Sequence, residues 1–247
     1  MKALLALSLV IIGVSLHPAH AQQLMNFITR TTIPIVIQCP GCNARNQAKK
    51  SPNSQRVPLE RLTPLSPNAN PAKALNFRPS ETVRRNNLKQ FAQKTRAVDP
   101  AGADQMEQLF ASTDIIVAIG NAMAPYGLRT DNVADAYAVY WTNAWMGARG
   151  RNDSLSKSQL AVVRNQAANA LLASPEFTST SDPQKQEMAE ALLIQAALID
   201  TSIESAKSDP AFMSKLKVAI AQGAEGMGLD LDAMDLTANG FVPINQR

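Results

Sequence analysis

From Ser80 onward the apolar positions recur at intervals of three and four, the period of helices with one buried face. Ser80-Glu81 opens a segment with Val83, Leu88, Phe91 and Ala92 on one side, ending near Val98-Asp99-Pro100. A second segment runs from Pro100 to about Ala111 with Met106, Leu109 and Phe110. Asp114 stands before the apolar run Ile115–Ile119, where such a residue caps a helix. Ser154 to Ser174 is amphipathic through Leu160, Val163, Ala167, Ala170 and Leu171, with Ser154 as its expected cap and Pro175 as its stop. Asp182-Pro183 begins the longest helix, to about Ser208, whose seam of Met188, Leu192, Ile199 and Ala206 is punctuated by Gln195 and Ser202. Pro210 opens a last helix through Leu216 and Ile220 to about Ala224, and Gly226, Gly228 and Asn239-Gly240 mark a C-terminal turn region. Short connections between about seven helices predict an all-α fold, a single compact multi-helix domain over residues 80–247 with no sheet.

The stretch Met123–Gly150 holds every Tyr and Trp of the chain: Tyr126, Tyr137, Tyr140, Trp141 and Trp145. Pro125 and Gly127 close the preceding helix, and Asn132 with Asp135 three residues on approximates a capping box. Tyr137, Trp141 and Trp145 stand at i, i+4 and i+8, on one face of a helix of roughly four turns. Two roles are open for this stripe. Its rings pack the centre of the core, or Tyr137, Trp141, Trp145 and Asn132 line a groove that stacks on sugars or holds an apolar ligand. Asp135 is the one carboxylate inside the cluster, and satisfies a helix start or serves as a catalytic acid.

These residues also carry a resemblance. Pro125-Tyr126-Gly127-Leu128 and Asn132-Val133-Ala134-Asp135-Ala136-Tyr137, with Trp141 and Trp145, are its most specific part. Phe91, Arg96, Asp99-Pro100 and Leu109-Phe110 upstream, and Leu236-Thr237 and Gly240-Phe241 downstream, extend it to roughly Asn76–Val242. Together they resemble a family of exported bacterial proteins classed as a domain of unknown function. The resemblance implies domain extent and export, and no activity.

The N-terminal third is composed differently. Lys2, the apolar run Ala3–Leu16 and the small residues Ala19 and Ala21 form a secretory signal peptide over residues 1–21, with cleavage expected after Ala21. No later apolar run reaches the ~18 residues of a membrane span, so the processed chain is expected to be periplasmic or secreted, without a transmembrane segment. Residues 22–42 read as an extended arm ending in Cys39-Pro40-Gly41-Cys42. In an oxidising compartment Cys39 and Cys42 are expected to close a small disulfide loop, since the helical setting of a redox dithiol is missing. Residues 43–79 read as a basic, Pro-rich tether. Over 22–79 there are eight prolines and eight basic residues against Glu60 alone, and within it the Pro-rich, Asn-rich stretch 43–79 has too few apolar residues to fold. The net charge of +4 therefore belongs to this leader, and residues 80–247 carry 15 basic and 19 acidic residues. The tether could touch an anionic surface, glycan or envelope protein; nucleic acid is not expected, because the basic residues are dispersed and the only aromatic ring of the tether is Phe77 at its far end.

Export has a chemical consequence. The only histidines are His17 and His20, inside the signal peptide. Triads with a His base and His-ligated metal sites are excluded from the processed chain, and no cofactor is expected. Ser154-Leu155-Ser156-Lys157 has the spacing of a Lys-activated Ser nucleophile, but its companion motifs are absent. Asp230, Asp232 and Asp235 break the calcium-loop spacing. The enzyme class that survives is a carboxylate-pair glycoside hydrolase acting on cell-wall glycan, which needs two acids about 5 to 10 Å apart. Asp131, Asp135 and Glu176 are nominal candidates. The expectation is a non-catalytic binding or interaction protein of the cell envelope, with the glycosidase as alternative.

Overall fold

A computed structural model describes residues 74–97 and 99–244. The signal peptide, the Cys39–Cys42 arm and the tether up to residue 73 lie outside the described residues. Eight helices follow one another: α1 (Glu81–Arg96), α2 (Pro100–Ser112), α3 (Ile115–Met123), α4 (Val133–Gly147), α5 (Lys157–Leu172), the single turn α6 (Pro175–Thr178), α7 (Asp182–Ala206) and α8 (Pro210–Gly226). Strands β1 (Met234–Thr237) and β2 (Gly240–Pro243) close the described chain. The fold is mostly α, with a two-stranded antiparallel hairpin.

α4 is the centre. Thirteen of its fifteen residues are buried, on every side of the helix, as in an element surrounded by others. It packs against α5, α7 and α8, and α7 packs in turn on α1, α3 and α8. Buried alanines at 134, 136, 138 and 144 keep its surface low. Gly147 lets its last turn come closest: a Cβ there would stand 2.7 Å from Cγ2 of Ile199 and 2.9 Å from Cδ1 of Ile220.

The ends of the helices follow the polar residues at their boundaries. Asp99, Asp114, Asn132 and Asp209 each accept backbone N–H groups of the helix they precede. α5 is capped by Ser156 instead of the expected Ser154. Its hydroxyl accepts from the Gln159 backbone N–H while the Gln159 side-chain Oε1 accepts from the Ser156 N–H, a reciprocal pair that Ser154 has no third-position partner to make.

The ordered unit begins before Ser80. Leu75 and Phe77 are in the core, and the Phe77 N–H donates to the Asp131 carbonyl at 3.1 Å. The last residues of the segment read as tether are thus held against the start of α4. α1 is fastened to α7 by a buried polar cluster, in which Arg84 donates to Glu190 at 3.0 Å, Asn87 to Glu190 at 2.7 Å and Gln186 to Glu190 at 2.9 Å.

The hairpin was not expected. Its strands have four residues each, too few for alternation to register, and only Asn239-Gly240 signalled a turn. Such a hairpin is marginal alone. Here the Gln166 side chain of α5 supplies what a third strand would: its amide donates to the Phe241 carbonyl at 2.8 Å and accepts the Phe241 N–H at 2.9 Å. Among the described residues no single helix is long and apolar enough to cross a membrane; α2 and α3 together have the length and composition but meet at 75°.

Candidate functional site

The aromatic stripe of α4 faces inward onto the hairpin. Trp141 and Trp145 are 2% and 6% exposed. Trp141 stacks on Phe241 with ring centroids 4.3 Å apart and planes 15° from parallel, and Trp145 meets the same ring edge-on at 6.2 Å. Both indole N–H groups end on Met234, that of Trp141 on its sulfur and that of Trp145 on its carbonyl, each at 3.0 Å. The Arg149 guanidinium covers the outer side of Trp145, 4.0 Å from the ring centroid. Tyr137 packs edge-on against Trp141 at 5.9 Å and is half-buried. Neither indole presents a face on which a sugar could stack.

Asn132 is spent at the joint between the N-terminal segment and α4. Its side-chain oxygen accepts from the Asp135 N–H and its amide donates to Asn76. Asp135 does not return the box. Its Oδ2 accepts from the Arg129 N–H at 2.9 Å, while Oδ1 has no hydrogen-bond partner and lies 3.7 Å from Nε of Arg164. Burial raises the Asp135 pKa above the ordinary carboxylate value, against the Arg129 N–H and the Arg164 and Arg129 charges that lower it. Asp131 beside it is ion-paired with Arg129. Both acids are thus turned toward one loop and no opening adjoins them among the described cavities.

A cavity lies on another side of α4. It has a volume of about 60 Å³ and is enclosed by Ile119 and Met123 of α3, Val139, Asn143 and Met146 of α4, and Leu193, Ala196 and Ala197 of α7. The 152–155 segment, Asn-Asp-Ser-Leu, forms its mouth, and Asp200 of α7 joins it there. The lining is largely apolar, with the polar side chains of Thr142, Asn143, Asn152, Asp153, Ser154 and Asp200 set into it, the composition of a small-ligand site. Asn152 is buried and fixed by donating to Glu204 at 2.9 Å. Asp153 is paired with Arg151 at 2.5 Å and Glu204 with Lys207 at 2.6 Å. Asp200 forms no ion pair among the described residues. Burial pushes its carboxyl up to about 6, with the Asn152 amide and Lys207 pulling down and Glu204 pushing up.

Sequence reasoning singled out neither Asp200 nor Asn152. A signal existed: Leu193, Ala197, Asp200 and Glu204 follow the four-three-four spacing of one helix face, so Asp200 is an acid set at the end of an apolar stripe. Among the described residues no three His, Cys, Asp or Glu side chains lie close enough to share a metal ion, and Asp230 and Asp235 accept nearby backbone N–H groups instead.

No curated protein and no solved structure matches the chain. A family model matches residues 4–243, a span that takes in the N-terminal segments as well as the helical domain. The chain belongs to that family, described as a family of unknown function (DUF6683).

Proposed function

We propose that this chain is an exported, non-catalytic binding protein whose helical domain takes a small ligand in the cavity between α3, α4 and α7. The observation that carries the reading is the division of labour on α4: its Trp face is consumed by the hairpin, whereas its Val139, Asn143 and Met146 line the cavity beside the polar 152–155 segment. Residues 1–21 act as signal, Cys39 and Cys42 close a disulfide, and the basic segment 43–73 is available to an anionic envelope surface or glycan.

The glycoside-hydrolase alternative has less support. Asp131 and Asp135 are held by Arg129, and the two Trp rings that would hold sugar are buried against Phe241. Thermal denaturation of the purified chain with a panel of short-chain alcohols and amines tests the binding reading, since a ligand of the folded state raises the melting temperature by mass action. Stabilisation of the native protein and not of an Ala197→Leu variant, which fills the cavity, is the expected result. Equal effects on both proteins, or release of reducing ends from cell-wall glycan, contradict it.

A further inference from the structure

We propose that the ligand of this cavity is a small organic cation, a primary ammonium on a short apolar chain, with the Asp200 carboxylate as its counter-ion. The inference rests on the cavity being the binding site.

Three features of the mouth select the charge. Asp153 and Glu204 already have cations of their own in Arg151 and Lys207, and Asp200 does not. The hydrogen-bonding neighbour of Asp200 is the neutral amide of Asn152, which also donates to Glu204 at 2.9 Å, so Asp200 is met by a dipole shared with another acid and not by a cation of its own. The lining residues contributed by α3, α4 and α5 carry no charge, so nothing on those elements offers Asp200 a partner. A neutral apolar ligand would strip water from an ionised carboxylate and give nothing in return, and an anion would meet the Asp200 and Asp153 charges directly. An ammonium replaces the lost water with charge-assisted hydrogen bonds. Its chain then lies against Met123, Met146 and Leu193; methionines suit chains of variable shape.

Asp200 with its raised proton affinity adds a pH dependence. The groups that face it are Asn152 and Asp153 from the mouth, and Glu204 and Lys207 from its own helix. Below its folded value of about 6 Asp200 is protonated and the counter-ion is lost, so affinity rises with pH through that value.

The test is calorimetric titration of the purified full chain with alkylammonium ions from ethyl to hexyl, and with the matched alcohols and carboxylates, at about pH 5 and about pH 7.5. Native protein, Asp200→Asn and Ala197→Leu are compared, each checked for folding by circular dichroism. The expected result is that an ammonium binds about tenfold or more tighter than its alcohol, and tighter at the higher pH. Asp200→Asn abolishes that preference, and Ala197→Leu weakens ammonium and alcohol alike. Alcohols binding the native protein as tightly as ammonium ions, or an unchanged preference in Asp200→Asn, overturns the cation while leaving the cavity as the site. Binding of none of these compounds, or binding untouched by Ala197→Leu, overturns both.

Discussion

The indole of Trp141 lies flat on the ring of Phe241, a residue a hundred positions later in the chain and 1% exposed, with the ring centroids 4.3 Å apart. That stack joins the central helix to the C-terminal hairpin. It also explains why the most conspicuous feature of the sequence is interior. Truncating Phe241 to Ala is expected to destabilise the domain by ~3–5 kcal/mol, a core cavity plus a lost aromatic pair. Tryptophan emission of the variant should shift to the red and become accessible to acrylamide. Emission that stays blue in a protein of native stability would show that the hairpin is not what covers Trp141.

Glu190 carries the contact between α1 and α7, accepting from Arg84, Asn87 and Gln186 while 1% exposed. Glu190→Ala takes an acceptor from the buried Gln186 amide and from the half-buried Arg84 and Asn87, and a loss of ~2–3 kcal/mol in urea denaturation is expected. Asp114, on the exposed side of the same Arg84, also caps α3 through the Ile116 and Val117 N–H groups. Asp114→Ala should cost only ~1 kcal/mol, mostly the cap. Equal losses for the two variants would contradict the division drawn between buried and exposed partners.

Gly147 is expected to resist even the smallest enlargement. Alanine is the better helix former by ~1 kcal/mol, yet its methyl carbon would overlap Ile199 and Ile220, branched side chains already locked between helices. A net loss of ~1–3 kcal/mol for Gly147→Ala is expected from overpacking. A melting temperature at or above the native one would mean that α4 and α7 stand further apart than described.

Asp200 sets a slope in the pH dependence of stability. Its carboxyl moves from 3.8 up to about 6 on folding, so the folded state holds a proton that the unfolded state has released. The favourable contribution is therefore complete below the unfolded value and is lost as pH rises through about 6. Thermal melts of the native protein should fall over this interval, and those of Asp200→Asn should fall less. Asp135, also raised by burial, adds to the same slope in both proteins and is not removed by the substitution. Identical slopes would contradict the burial of Asp200.

Much of this architecture was legible along the chain because its signals are local. The caps at Asp114 and Asn132, the prolines at 100, 183 and 210 and the three-four spacing after them set the helix limits to within a few residues. The hairpin escaped notice because its stability comes from Gln166, 75 residues away, and from Trp145, neither of which alters the pattern of residues 234–243. The mouth of the cavity was hidden for a similar reason. Asn152 looks like an ordinary loop residue and Ser154 like a helix cap until α7 brings Asp200 beside them, and that pairing depends on the closeness of α4 and α7 that Gly147 permits. The sequence showed which face of α4 carries rings. Both faces are apolar, so it could not show which one the hairpin would take.

The placement of the ligand site on the Asn143 face of α4, and not on its Trp face, is tested most directly by amide and indole resonances of the isotope-labelled protein. Butylammonium and cell-wall glycan fragments are titrated in turn. Butylammonium is expected to move the amide signals of Asn143, Asn152, Leu155 and Ala197 and to leave the indole N–H signals of Trp141 and Trp145 in place, while glycan leaves all of them unmoved. Indole signals that move with glycan, with the cavity amides silent, would contradict this placement and put the ligand site on the Trp face of α4, near Asp135.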